Sequence, residues 1–116
     1  MIIDRAAITL KVKQPAVDWI NKVASMTGGE KLTLKEVNED SQLYLIPDDV
    51  DYKDLAVIWV YKNAEALLVE FMNSWYQDES LWPTILDIDL LEKWFDIGYH
   101  SLIIDTVDGP INKEEK

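Results

Sequence analysis

The chain contains no cysteine and a single histidine in 116 residues. Without thiols there are no disulfides, no thiolate nucleophiles, no iron–sulfur clusters and no Cys-based zinc site. One imidazole, His100, argues against a histidine-based zinc site as well. Long apolar runs are also missing. The longest is Leu55–Tyr61. It falls far short of the roughly 20 residues that span a bilayer. At the N-terminus Asp4, Arg5 and Lys11 interrupt any signal-peptide pattern. The expectation is a soluble, cytoplasmic protein with no membrane association and no cofactor. Basic residues are scarce too: 11 against 22 acidic ones, a net charge of −11. Such a surface repels nucleic acid.

What is present is apolar and aromatic. The chain has five Trp, five Tyr and a 48% hydrophobic content. That separates it from a disordered acidic tail. At this length folding buries roughly two-thirds of the unfolded surface, enough for one core without staples. The expected organisation is one α+β domain over residues 1–110 and a flexible tail over 111–116. Residues 1–35 carry three acidic and six basic side chains, and the remainder 19 and five. The acidic excess therefore belongs to the C-terminal two-thirds. Solvation explains such a surface, and so does recruitment of a basic partner.

Periodicity sets the element order. Ile8, Leu10 and Val12 alternate with polar residues, which predicts a half-buried strand. Pro15 opens a helix whose apolar positions are Val17, Ile20, Val23 and Ala24. Asp18 suits its first turn and stands four residues before Lys22. Thr27-Gly28-Gly29 ends it. Thr33 and Glu36 fit a capping box, followed by a short helix. Gln42–Ile46 is a second strand, stopped by Pro47. No Gly or Pro follows until Pro83, so residues 53–77 read as one long helix, capped by Asp51, bent near Asn63 and deeply buried. Asp87 or Asp89 caps a last helix that runs through Phe95 to Gly98, and Tyr99–Val107 is the third strand. The predicted order is β-α-α-β-α-α-β, with about three mainly antiparallel strands and helices chiefly on one face.

Three groups of residues could carry chemistry. Asp87-Ile88-Asp89 could hold a divalent ion, but no phosphate loop accompanies it, and helix capping is the plainer reading. Asp48, Asp49, Asp51 and Asp54 do not match a calcium loop and read as a solvated helix start. His100 is the one candidate general base. On an alternating strand it shares a face with Leu102 and Ile104, and Ser101 points away. Most of the aromatics should be core. Trp75, Tyr76 and Trp82 flank a connector and are the best candidates for a binding surface.

Tyr44-Leu-Ile-Pro47, Trp75-Tyr-Gln-Asp-Glu-Ser-Leu-Trp-Pro83, Glu92-Lys-Trp-Phe95 and His100-Ser-Leu together resemble a family of small acidic bacterial proteins of unknown function. The resemblance covers most of the chain and implies a compact α+β domain with a helical middle. It implies no functional residues. The leading expectation is a non-enzymatic protein-binding or regulatory domain that engages a basic protein surface. The alternatives are a small hydrolase or transferase using His100 with nearby carboxylates, and a homo-oligomer.

Overall fold

The computed structural model describes residues 1–39 and 41–111. All but the first residue of the expected tail, 112–116, lies outside the described residues. The elements run β1 (Arg5–Val12), α1 (Gln14–Thr27), α2 (Leu34–Val37), β2 (Leu43–Pro47), α3 (Lys53–Lys62), α4 (Ala64–Trp75), a 3₁₀ turn (Glu79–Leu81), α5 (Ile88–Trp94) and β3 (Phe95–His100). This is an α+β architecture in a single compact domain. No helix among the described residues is long and apolar enough to cross a membrane.

β1 is the centre of an antiparallel sheet of order β2-β1-β3. Period-2 alternation gives the sheet two unlike faces. Ala6, Ile8, Leu10 and Val12 point one way, joined by Tyr44 and Ile46 from β2 and by Phe95, Ile97 and Tyr99 from β3. The helices pack on this face, and their buried residues join those of the strands in one core. Ile20, Val60, Leu68, Met72 and Leu91 are among its fully enclosed side chains. Burying each such side chain contributes about 1.5–3 kcal/mol. On the other face Arg5, Lys11, Leu43, Leu45, Asp96 and His100 are exposed.

Local chemistry accounts for most boundaries. Gly28 ends α1 at φ 79°. That is the left-handed region, which glycine enters without strain. The capping box of α2 is complete: the Glu36 amide donates to Thr33 Oγ1 at 3.2 Å, and the Thr33 amide donates to Glu36 Oε1 at 3.0 Å. The bend at Asn63 is a break between two helices. There φ is −112°, and the Asn63 side-chain amide donates back to the Trp59 carbonyl at 2.8 Å. Such a back-bond competes with the helical ladder.

Several expectations need correction. Tyr52, not Asp51, is the residue before α3, and it makes no side-chain cap. α3 is peripheral, burying Ala56 and Val60 while Ile58 is exposed, and the central helix is α4. Asp18 accepts a hydrogen bond from Gln14 Nε2 at 2.8 Å; among the described residues it forms no ion pair with Lys22. Pro47 is the last residue of β2, paired with Arg5. An edge strand tolerates proline there. The largest shift is at the C-terminal end. α5 stops at Trp94, and β3 starts at once with Phe95, so Gly98 lies in mid-strand opposite Thr9. A Cβ at Gly98 would run into Thr9 Oγ1, so this glycine serves a close side-chain approach and not a helix end. His100 is consequently the last residue of the strand, with Leu102 and Ile104 beyond it. Ile104 instead forms an isolated bridge with Ile2.

Candidate functional site

Trp75, Tyr76 and Trp82 are all partly exposed, and Trp75 and Trp82 line different cavities. Tyr76 donates its hydroxyl proton to the Ile20 carbonyl at 2.9 Å and meets the Trp19 ring edge-on, with centroids 5.5 Å apart. Trp82 donates its indole N–H to the Tyr76 carbonyl at 2.7 Å, and Trp19 donates to the Leu81 carbonyl at 3.0 Å. The bonds of Tyr76 and Trp19 fasten the 76–82 connector to α1, and that of Trp82 closes the connector on itself. Trp82 also lines a shallow cavity of about 320 Å³ with Met26 and Pro83. Behind the connector, Trp19, Phe71, Trp94 and Phe95 stack into the core, with Phe71 and Phe95 T-shaped at 4.9 Å.

Trp75 belongs elsewhere. It stands at the C-terminal end of α4, against a cavity of about 200 Å³. The covered face of the sheet provides Leu10, Val12 and Phe95, α2 provides Val37, and α4 provides Phe71. Next to Val37, Asn38 fixes the end of α2. Its side chain accepts from the Val12 amide and donates to the Val12 carbonyl, both at 2.9 Å, and so holds the segment after α2 against β1. Tyr44 is partly buried beside this cavity. Burial first, and the nearby Glu70 carboxylate second, push its pKa up to about 12.

The carboxylates gather on another side. Glu65, Asp87 and Asp89 line an open cleft of about 330 Å³ between the α3–α4 junction and the start of α5, with Tyr61 and Lys62. Tyr61 donates its hydroxyl proton to Glu92 Oε1 at 2.6 Å, tying α3 to α5. That hydrogen bond, more than partial burial, raises the Tyr61 pKa above its ordinary value. Asp87 caps α5, accepting from the Leu90 amide at 3.0 Å. Among the described residues, no three of His, Asp and Glu converge on a position that could hold a metal ion.

His100 is exposed at the end of β3, on the open face of the sheet, paired with Ala7. Among the described residues no carboxylate forms an ion pair with it. It lines none of these cavities, so His100 and the Asp87–Asp89 pair are not brought into one site. Sequence reasoning missed the cavity next to Trp75. Its lining is drawn from both halves of the chain, and no local pattern joins Val12 to Val37 or Tyr44 to Trp75. Comparison with known proteins finds no matching family model, no matching curated protein and no matching solved structure.

Proposed function

We propose that this protein is a non-enzymatic binding domain whose acidic cleft engages a basic segment of a protein partner. The observation that supports this is the shortage of internal neutralisation. Among the described residues, only Asp4 and Asp96 form ion pairs, with Arg5 and Lys13. In a chain of net charge −11, most of the described carboxylates are exposed without a counter-charge in an ion pair. Among the described residues that line the cleft, Lys62 is the one basic side chain beside Glu65, Asp87 and Asp89. An arriving Lys or Arg would meet an attractive field there at little cost in displaced intramolecular bonds. The same proposal keeps the protein in the cytoplasm, in line with its resemblance to small acidic bacterial proteins.

The test is affinity capture with the full chain at about 0.05 M and about 0.5 M salt, where screening differs severalfold. Basic partners that elute with salt, and that a Glu65→Gln/Asp89→Asn bait retains poorly, are the expected result. Acidic partners, or partners indifferent to both changes, would overturn the proposal.

Self-association is a second reading, favoured by Leu43 and Leu45 on the open face, 55% and 48% exposed. Sizing the protein in solution across concentration decides it.

A further inference from the structure

We infer that β2 is an edge through which two copies of this chain pair, antiparallel about a two-fold axis at Tyr44, into one continuous sheet. The inference rests on the self-association reading and names its surface. β2 is an outer strand of the sheet. The ladder fixes which of its backbone groups point outward. The Lys13 amide donates to the Trp94 carbonyl at 2.7 Å, in step with the pairs Lys11–Asp96 and Thr9–Gly98. Odd-numbered residues of β1 therefore direct their N–H and C=O groups to β3, and even-numbered ones to the β2 side. Val12 obeys this rule, with its amide and carbonyl both bonded to the Asn38 side chain. Ala6 and Ile8 then meet Ile46 and Tyr44 as the hydrogen-bonded pairs of β1 and β2. Leu43 and Leu45 are left pointing their N–H and C=O groups away from the sheet, where no backbone group among the described residues bonds them. Pro47 has no N–H, and its carbonyl accepts from the Val50 amide at 3.1 Å, so the open edge ends there.

Charge and register both select a second copy as the occupant. β2 is the strand without a charged residue, whereas the other edge strand, β3, carries Asp96 and His100. Two chains of net charge −11 can therefore join their β2 strands with no like charges opposite each other in the paired residues. A charged partner segment finds no counter-charge on this strand. The register centred on Tyr44 sets Leu43 against the partner's Leu45, and Leu45 against the partner's Leu43. That arrangement satisfies every outward N–H and C=O of both leucines in both copies. Centring on Leu45 would instead set Leu43 against Pro47, which has no donor. The leucine side chains, 55% and 48% exposed, become apolar cross-strand pairs in the Tyr44 register. An exposed, apolar, uncharged edge is a template for another strand.

Sedimentation of the full chain across concentration, combined with amide hydrogen exchange, reads the outcome. The expected result is a monomer–dimer equilibrium that tightens with added salt, because screening relieves the repulsion between two acidic chains. Exchange at the Leu43 and Leu45 amides should slow as the dimer forms, while Ile97 and Tyr99, outward on β3, stay unchanged. Leu45→Pro removes an outward donor and leaves the bonds to β1 in place. It should weaken the dimer about a hundredfold, since the two-fold axis counts each lost hydrogen bond twice. Leu43→Lys/Leu45→Lys sets like charges across the axis and should leave a monomer. Leu43→Lys/Leu45→Glu sets opposite charges there and should keep the dimer. These two charge variants carry the test if Leu45→Pro does not fold. A monomer at every concentration overturns self-association and this inference together. A dimer indifferent to Leu45→Pro and to both charge variants, or one that salt weakens, overturns the β2 edge and leaves self-association standing. Equal behaviour of the two charge variants overturns the register. Salt acts here in the opposite sense to its effect on a basic partner at the acidic cleft, so the two proposals are separable.

Discussion

The two faces of the sheet are built from the same strands and do opposite things. Along β1, Ile8 is fully buried beneath the helices. One residue on, Thr9 faces the other way, between Leu43 and Gly98. The covered face binds the helices into a core and borders the aromatic cavity. The open face carries Arg5, Lys11 and His100 beside two exposed leucines. Stability is concentrated on one side and surface chemistry is left on the other. The contrast also explains why His100 is exposed and lines none of these cavities: it stands on the face that no described helix encloses.

The sharpest way to break this comparison is a matched pair of truncations. Ile8→Ala should cost about 2–5 kcal/mol, the range for large-to-small changes in a packed core. Leu45→Ala, half exposed on the other face, should cost under about 1 kcal/mol. Urea unfolding of both variants, compared at constant m, measures the difference. Equal costs would mean that the open face is covered in solution, and sizing would then identify a second copy as the cover.

Gly98→Val probes the open face from within. Its side chain must push Thr9 aside. Overpacking of this kind costs about 1–3 kcal/mol. Combining it with Thr9→Ala should recover much of the loss. A Gly98→Val protein as stable as the original would show that Thr9 moves freely.

The smallest effect separates the faces by pH. Tyr44 and Tyr99 both pair with Ile8 and lie on the covered face. Burial, aided by Glu70 for Tyr44 and by Asp51 for Tyr99, raises both pKa values above the ordinary 10.0. The folded chain therefore holds these protons more tightly than the unfolded one. That contribution is intact below about pH 10 and declines as the pH rises toward about 12, the value for Tyr44. Urea midpoints followed from about pH 9 upward should fall in this window, and Tyr44→Phe should flatten the fall.

The elements that were legible were those written in neighbouring residues. The alternation of Ile8, Leu10 and Val12, the Thr33–Glu36 capping box, the stop at Gly28 and the bend at Asn63 each depend on contacts within a few positions. The errors came where a distant partner overrides local preference. Gly98 looks like a helix end until Thr9 is placed opposite it. Distant partners also divide neighbours in sequence: Tyr76 bonds Ile20 and Trp82 bonds Tyr76, while Trp75 lines a different cavity from Trp82. Residues 53–77 look like one deeply buried helix because their apolar content is high, yet only the α4 part occupies the centre and α3 lies at the periphery.

Composition and periodicity were enough to establish an acidic α+β domain, the Thr33–Glu36 capping box and the inward side of its central strand, because charge and repeat are local properties of the chain. Which faces meet was decided by tertiary packing. The pairing of β1 with β3, the union of Val12, Val37 and Phe71 around one cavity, and the separation of His100 from Asp87 all involve residues whose relative positions no local pattern records. Burial rewards such contacts only once the whole core closes, so no short stretch of residues encodes them.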